Sequence, residues 1–187
     1  MFAYKINDRL ELLLLQKEHA GELFALIDKN REHLKEWMNW VDSVQSAQDT
    51  AANIERALEQ AAAGGGFRAG IWAEGDLAGV INYHEVDWGN KKTSLGYWLG
   101  KEYEGTGIMT HAVEAFTNYA FDEMDLHRVE IRCAEGNIKS RAVPEKLGFQ
   151  LEGTLKESER LAGGYANQAV YGLSLIHILT LPTIYSV

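Results

Sequence analysis

Apolar residues recur at helical spacing in some stretches and alternate in others, and the order of those stretches sketches a fold. Leu10 to Leu15 reads as a strand, and Lys17 to Asp28 as a helix with Ala20, Leu23, Phe24 and Ile27 on one face. A second helical region holds Trp37, Met38, Trp40 and Val41. A third runs from Gln48 to Ala63, with Asp49 or Thr50 as its cap and Gly64-Gly65-Gly66 as its stop. Phe67 to Ala73 and Leu77 to Val86 are strands joined by Glu74-Gly75-Asp76, a turn short enough for an antiparallel hairpin. Asp87 to Lys92 turns the chain into another strand, Thr93 to Leu99. The pattern then changes. A loop from Gly100 to Gly107 opens a helix from Ile108 to Met124, followed by the strand Arg128 to Ala134, a short helix Ser140 to Leu147, and strands near Phe149 to Leu155 and Gln168 to Leu173. Antiparallel strands followed by a strand-helix-strand unit predict a mixed α/β (α+β) sheet in one domain over residues 1–175, with residues 176–187 as an atypical tail.

Composition narrows the class. With 187 residues, 46% of them hydrophobic, and 2 prolines, the chain is expected to be globular rather than disordered, collagenous or repetitive. Its 18 basic and 27 acidic side chains give a net charge of −9, which argues against nonspecific binding of nucleic acid or an anionic membrane and for a cationic partner. The single cysteine, Cys133, lies in the alternating stretch Val129 to Cys133 and reads as a core thiol in a reducing cytoplasm. Six separated histidines with no H-x-x-x-H pair imply no metal site. Met1 to Leu10 has no secretory signal pattern, and the longest apolar run, Leu173 to Leu181, is about half the ~20 residues of a membrane span.

The chemistry concentrates between Leu95 and Thr110. A strand runs into a loop whose Gly105 and Gly107 allow close backbone approach, and the next helix aims its unpaired amides and positive dipole end at that loop, which suits a phosphate. The loop is neither a dinucleotide fingerprint nor a P-loop, and taken alone it favours a mere cap and turn over a phosphate site. Some thirty residues later stands Glu135-Gly-Asn-Ile-Lys-Ser-Arg-Ala-Val-Pro-Glu-Lys-Leu-Gly-Phe149. Together the two segments resemble the acetyl-CoA-binding core of the GNAT acyltransferase superfamily, most closely its RimJ/RimL-like branch of ribosomal-protein N-terminal acetyltransferases. In the superfamily's loop pattern of Gln or Arg, two residues, Gly, one residue, then Gly or Ala, this chain has Glu104, Gly107 and Met109, so two positions depart. The fuller string Gly96-Tyr-Trp-Leu99, five residues, Gly105-Thr-Gly107-Ile-Met-Thr110 is more specific.

The resemblance implies a GNAT fold splayed between two parallel strands. Tyr97, Trp98 and Leu99 would then pair with the pantetheine arm through free backbone groups, joined by Asn137. Gly105, Gly107, Ile108, Met109 and Thr110 would hold the pyrophosphate through backbone amides. The usual base and acid positions hold Ser94 and Pro144, but branch-specific substitutes are present: Ser140 as the acid for the coenzyme A sulfur, and Glu159 as the base, acting through water. Ser140 read alone would be an N-cap, and Glu159 a solvated acid. Trp37 and Trp40 resemble the aromatic pair at the acceptor pocket, and Glu85 is a second carboxylate that could substitute. The expected reaction moves an acetyl group from acetyl-CoA to a primary amine, with the N-terminal α-amine of a basic ribosomal protein favoured. A polyamine, an antibiotic amine or a non-catalytic acyl-CoA-binding module are the alternatives. Self-association into a homo-oligomer is compatible with this reading.

Overall fold

The computed structural model describes residues 2–175, so the tail from 176 lies outside the described residues. Eight strands form one sheet in the order β1-β2-β3-β4-β5-β6-β8-β7. They are β1 (Ala3–Asn7), β2 (Leu10–Leu14), β3 (Arg68–Ala73), β4 (Asp76–Asp87), β5 (Lys92–Leu99), β6 (Arg128–Ala134), β7 (Gln150–Leu161) and β8 (Gly164–Ser174). Every neighbouring pair is antiparallel except β5 and β6. The helices are α1 (Ala20–Lys29), α2 (Arg31–Lys35), α3 (Ala47–Ala62), α4 (Ile108–Asp122) and α5 (Ile138–Lys146).

Each sheet face buries its own core. On one side Ile71, Ile81, Leu95, Val129 and Ile131 pack with Val113, Phe116 and Ala120 of α4. On the other, Trp72, Leu77 and Val80 pack with Leu23 and Ile27 of α1 and Ile54 of α3. Ile71 and Trp72 on β3, and Val80 and Ile81 on β4, point to opposite faces, while a register irregularity opposite Leu77 and Gly79 puts Leu77 on the same face as Val80.

Several local expectations are corrected. The cap of α3 is Ser46 rather than Asp49 or Thr50: its Oγ accepts from Asp49 N at 3.2 Å, while the Asp49 carboxylate accepts from Gln45 N at 2.9 Å. The second helical region does not hold Trp37, Met38, Trp40 and Val41, which all lie beyond α2. α2 ends at Lys35, and the Arg31 guanidinium donates to the carbonyls of Val41 at 2.8 Å and Val44 at 2.9 Å, which holds the following segment with Trp37 and Trp40 in a turn. α5 begins two residues earlier than read, capped by Asn137. Strand β7 continues to Leu161, six residues past the expected end, and β1 is an additional edge strand. Both are mostly exposed, so neither carries the alternation that marks a half-buried strand.

Candidate active site

The parallel pairing of β5 with β6 runs from Lys92 opposite Arg128 to Leu95 opposite Ile131 and then ends. Beyond it, Gly96 to Leu99 pair only with β4, and Arg132 to Ala134 only with β8. The facing backbone groups of the two strands are left without a strand partner, which an extended amide-bearing arm could satisfy. The gap opens into a cavity of about 2150 Å³. Across its base the Tyr97 hydroxyl donates to the Ser140 carbonyl at 3.0 Å, tying β5 to α5, and burial of the ring pushes the phenol pKa upward.

At one end of this cavity Gly107 caps α4 with φ 83°, and Gly105 has φ 75°, conformations in the left-handed region that glycine adopts without strain. No side chain caps α4, and its first backbone bond is His111 N to Gly107 O, so the amides of Ile108, Met109 and Thr110 face the loop. A phosphate fits such a cradle. The Glu104 carboxylate does not confront it alone. It lies 2.9 Å from His33 Nε2 and 2.6 Å from Lys139 Nζ. Burial by itself would raise its carboxyl pKa, but Lys139 and His33 outweigh that and hold it below the usual range. Lys101 and Lys146 line the same cavity.

Where the strands part, Asn137 Oδ1 accepts from Ser140 N at 3.1 Å, so Asn137 is the helix cap and Ser140 sits one turn inside. The Ser140 side chain is thereby spared from capping and lines the cavity with Cys133. Burial pushes the Cys133 thiol up to about 11, with the Ser140 hydroxyl acting in the opposite direction. Glu159 also lines the cavity, and the Gln168 amide donates to its carboxylate. It arrives there through an irregularity between Leu155 and Glu159 that leaves Glu157 at φ 49°. Trp37, Trp40 and Glu85 belong to the same walls, and the Trp40 ring lies 6.2 Å from that of Trp98.

The sequence reading did not single out Arg68, Asn82, His84 and Arg132, which line the cavity from three different strands. The one available signal was period-two alternation, which put Asn82 and His84 on a single face of β4. Among the described residues no group of three or more His, Cys, Asp or Glu is placed to hold a metal ion, and no helix is long and apolar enough to cross a membrane.

A parallel pair that stops short, above a glycine loop leading into a helix, offers backbone groups to an extended arm and amides to a phosphate. The family model described as acetyltransferase (GNAT) domain matches residues 9–150, and the chain belongs to that family. YdaF of Bacillus subtilis (strain 168) is 38% identical over 92% of this chain and 95% of its own length. The ribosomal-protein-serine acetyltransferase of Escherichia coli (strain K12) is 32% identical over 89% of this chain and 93% of its own. Among solved structures, RimL, a ribosomal L7/L12 α-N-protein acetyltransferase bound to coenzyme A through a CoA–cysteine disulfide, superposes with a TM-score of 0.90 at 27% identity, covering 92% of this chain and 98% of that one. The chain is thus an acetyl-CoA-dependent N-acetyltransferase with the expected mixed sheet.

Proposed function

We propose that this chain, as a single acetyltransferase domain over residues 1–175, acetylates the N-terminal α-amine of a ribosomal protein in the cytoplasm. The observation that carries it is the early end of the β5–β6 pairing, which lets one cavity run from the amides of α4 to the polar sheet face beside Glu159. The relatives that act on ribosomal proteins supply the acceptor class.

In this reading the amides of Ile108, Met109 and Thr110 hold the pyrophosphate, with Lys101, Lys139 and Lys146 adding positive charge. Tyr97 to Leu99 and the Asn137 amide line up the pantetheine arm between β5 and β6. The carbonyl to be attacked then lies beside Ser140. Thioester aminolysis needs a proton removed from the amine and one delivered to the departing sulfur. Glu159 takes the first through a water, its carboxylate oriented by Gln168, and the Ser140 hydroxyl delivers the second. Trp37 and Trp40 wall the acceptor, with Glu85 at its rim. A net charge of −9 draws basic proteins toward the enzyme from a distance.

Incubation of ribosomal proteins with the enzyme and acetyl-CoA, followed by mass spectrometry of their terminal peptides, tests this directly. Label on α-amines is expected. Label confined to lysine side chains or to added polyamine would overturn the acceptor assignment.

A further inference from the structure

The proposed acceptor side of the cavity gathers three arginines, Arg56, Arg68 and Arg132, in a protein of net charge −9. Arg68 on β3 stands opposite Asn82 on β4, and Asn82 opposite Gly96 on β5, so the three form a row across the sheet. His84, two residues beyond Asn82, projects from the same face, and its ring lies over Gly96, where a Cβ would meet Nε2 at 2.5 Å. Arg132 on β6 and Arg56 on α3 complete this wall.

Of these cations, Arg132 is paired with Glu130 at 3.1 Å, and Arg68 is left without an acid. The Arg68 guanidinium makes no hydrogen bond or ion pair among the described residues; burial, then the neighbouring Arg56, lowers its pKa. His84 is pushed down by burial, then by Arg68 and Arg132. Of the acids on these walls, Glu130 lies 3.1 Å from both Arg128 and Arg132, Glu159 is engaged by Gln168, and Glu85 lines the cavity without an ion pair to Arg68. Asn82 Nδ2 lies 3.3 Å from His84 Nδ1. A half-buried guanidinium with no partner of its own, beside a second and third cation, is a receptor for an anion.

Resting on the acetyl-transfer reading above, we propose that Arg68, with His84 and Arg132, binds a carboxylate on the acceptor, so that the preferred substrate is a protein N-terminus with an acidic side chain at its second or third residue. The spacing follows from the sheet. Arg68 is two strands from β5, about 10 Å at ~4.8 Å per strand, and an extended peptide covers roughly 3.3 Å per residue. Long-range attraction of a basic protein and local recognition of one acidic side chain act at different distances and do not conflict.

Three peptides that differ only at residues two and three test it: Ser-Glu-Glu, Ser-Gln-Gln and Ser-Lys-Lys at the N-terminus. Thiol release gives kcat/KM with acetyl-CoA, and calorimetry with coenzyme A gives binding. The glutamate peptide should exceed the glutamine peptide by about tenfold or more in both, the size of a charge-assisted hydrogen bond. Arg68→Met should bring that ratio close to 1, and Arg68→Lys should retain part of it. Should Arg68→Met fail to fold, Arg132→Gln reads the same ratio from an exposed position. Equal kcat/KM for all three peptides overturns this proposal and leaves the transfer reading standing. Tighter binding of the glutamate peptide with no thiol release sustains it and overturns the transfer reading. Competition by AMP, with no advantage for glutamate, would assign the cations to a phosphate and also overturn it.

Discussion

The two ends of the cavity are built by different means. The cofactor end is made of backbone: Gly105 and Gly107 in left-handed conformations, the uncapped amides of α4, and the edges of β5 and β6 past Leu95. The proposed acceptor end is made of side chains, Arg68, Asn82, His84, Arg132 and Glu159, contributed by four strands. A site built from backbone needs particular residues at short spacing, because only glycine adopts a left-handed turn freely and only a helix start leaves amides open. Any polar residue on the right face of a strand can contribute to a site built from side chains. The first end therefore leaves little freedom in its residues, and the second can be rebuilt for a new acceptor by single substitutions.

The contrast would be sharpened most by Ser140, which stands where the two ends meet. Ser140→Ala should lower kcat by about 10²-fold or more while acetyl-CoA affinity changes little, since Asn137 and not Ser140 caps α5. Full turnover in that variant, measured by thiol release, would remove Ser140 from the chemistry and leave the junction without a proton donor.

Next in size is the backbone end itself. Gly107 has φ 83°, and a Cβ there would meet nothing closer than His111 at 3.8 Å, so the penalty for a larger residue is conformational rather than steric. Gly107→Val places a β-branched residue in that region, a strain of order 1–3 kcal/mol, and acetyl-CoA affinity should drop roughly 10- to 100-fold. Calorimetry reads the loss. Unchanged affinity would mean that side chains such as Lys139 hold the cofactor, and the two ends would no longer differ in kind.

The same contrast explains what could be read from the chain. The β3–β4 hairpin, β5, the glycine loop, α4 and β6 were legible because each announces itself within a few residues through apolar alternation, Glu74-Gly75-Asp76 or Gly105-Thr106-Gly107. Ser140 and Glu159 were reached through family resemblance, and the structure places both on the cavity wall. Arg68 was not legible: its role depends on lying opposite Asn82, a pairing fixed by strand register across fourteen residues. Nor was the irregularity that carries Glu159 inward, because β7 is exposed along most of its length and offers no hydrophobic phase to follow. Trp37 and Trp40 misled in the opposite way, since helical spacing survived in a segment that Arg31 holds in a turn.

The smallest effect belongs to Glu159, and its size identifies the acceptor. An α-amine with a pKa of about 7.7 to 8.0 is deprotonated at pH 7 for roughly 1 to 1.4 kcal/mol, so a base acting on it can gain only about tenfold there. Glu159→Gln should therefore lower kcat/KM for a peptide N-terminus by about tenfold or less at pH 7. The deficit should shrink as pH rises, because more of the amine is already neutral, and by about pH 9 variant and parent should run together. A lysine acceptor, with a pKa near 10.4, costs about 4.6 kcal/mol to deprotonate at pH 7, so loss of the base could reach roughly 10³-fold and would persist at pH 9. A pH profile of both proteins on one peptide thus separates the two amines. A deficit that does not vary with pH would instead make Glu159 a positioning residue acting with Gln168, and the acceptor end would hold its substrate without moving its proton.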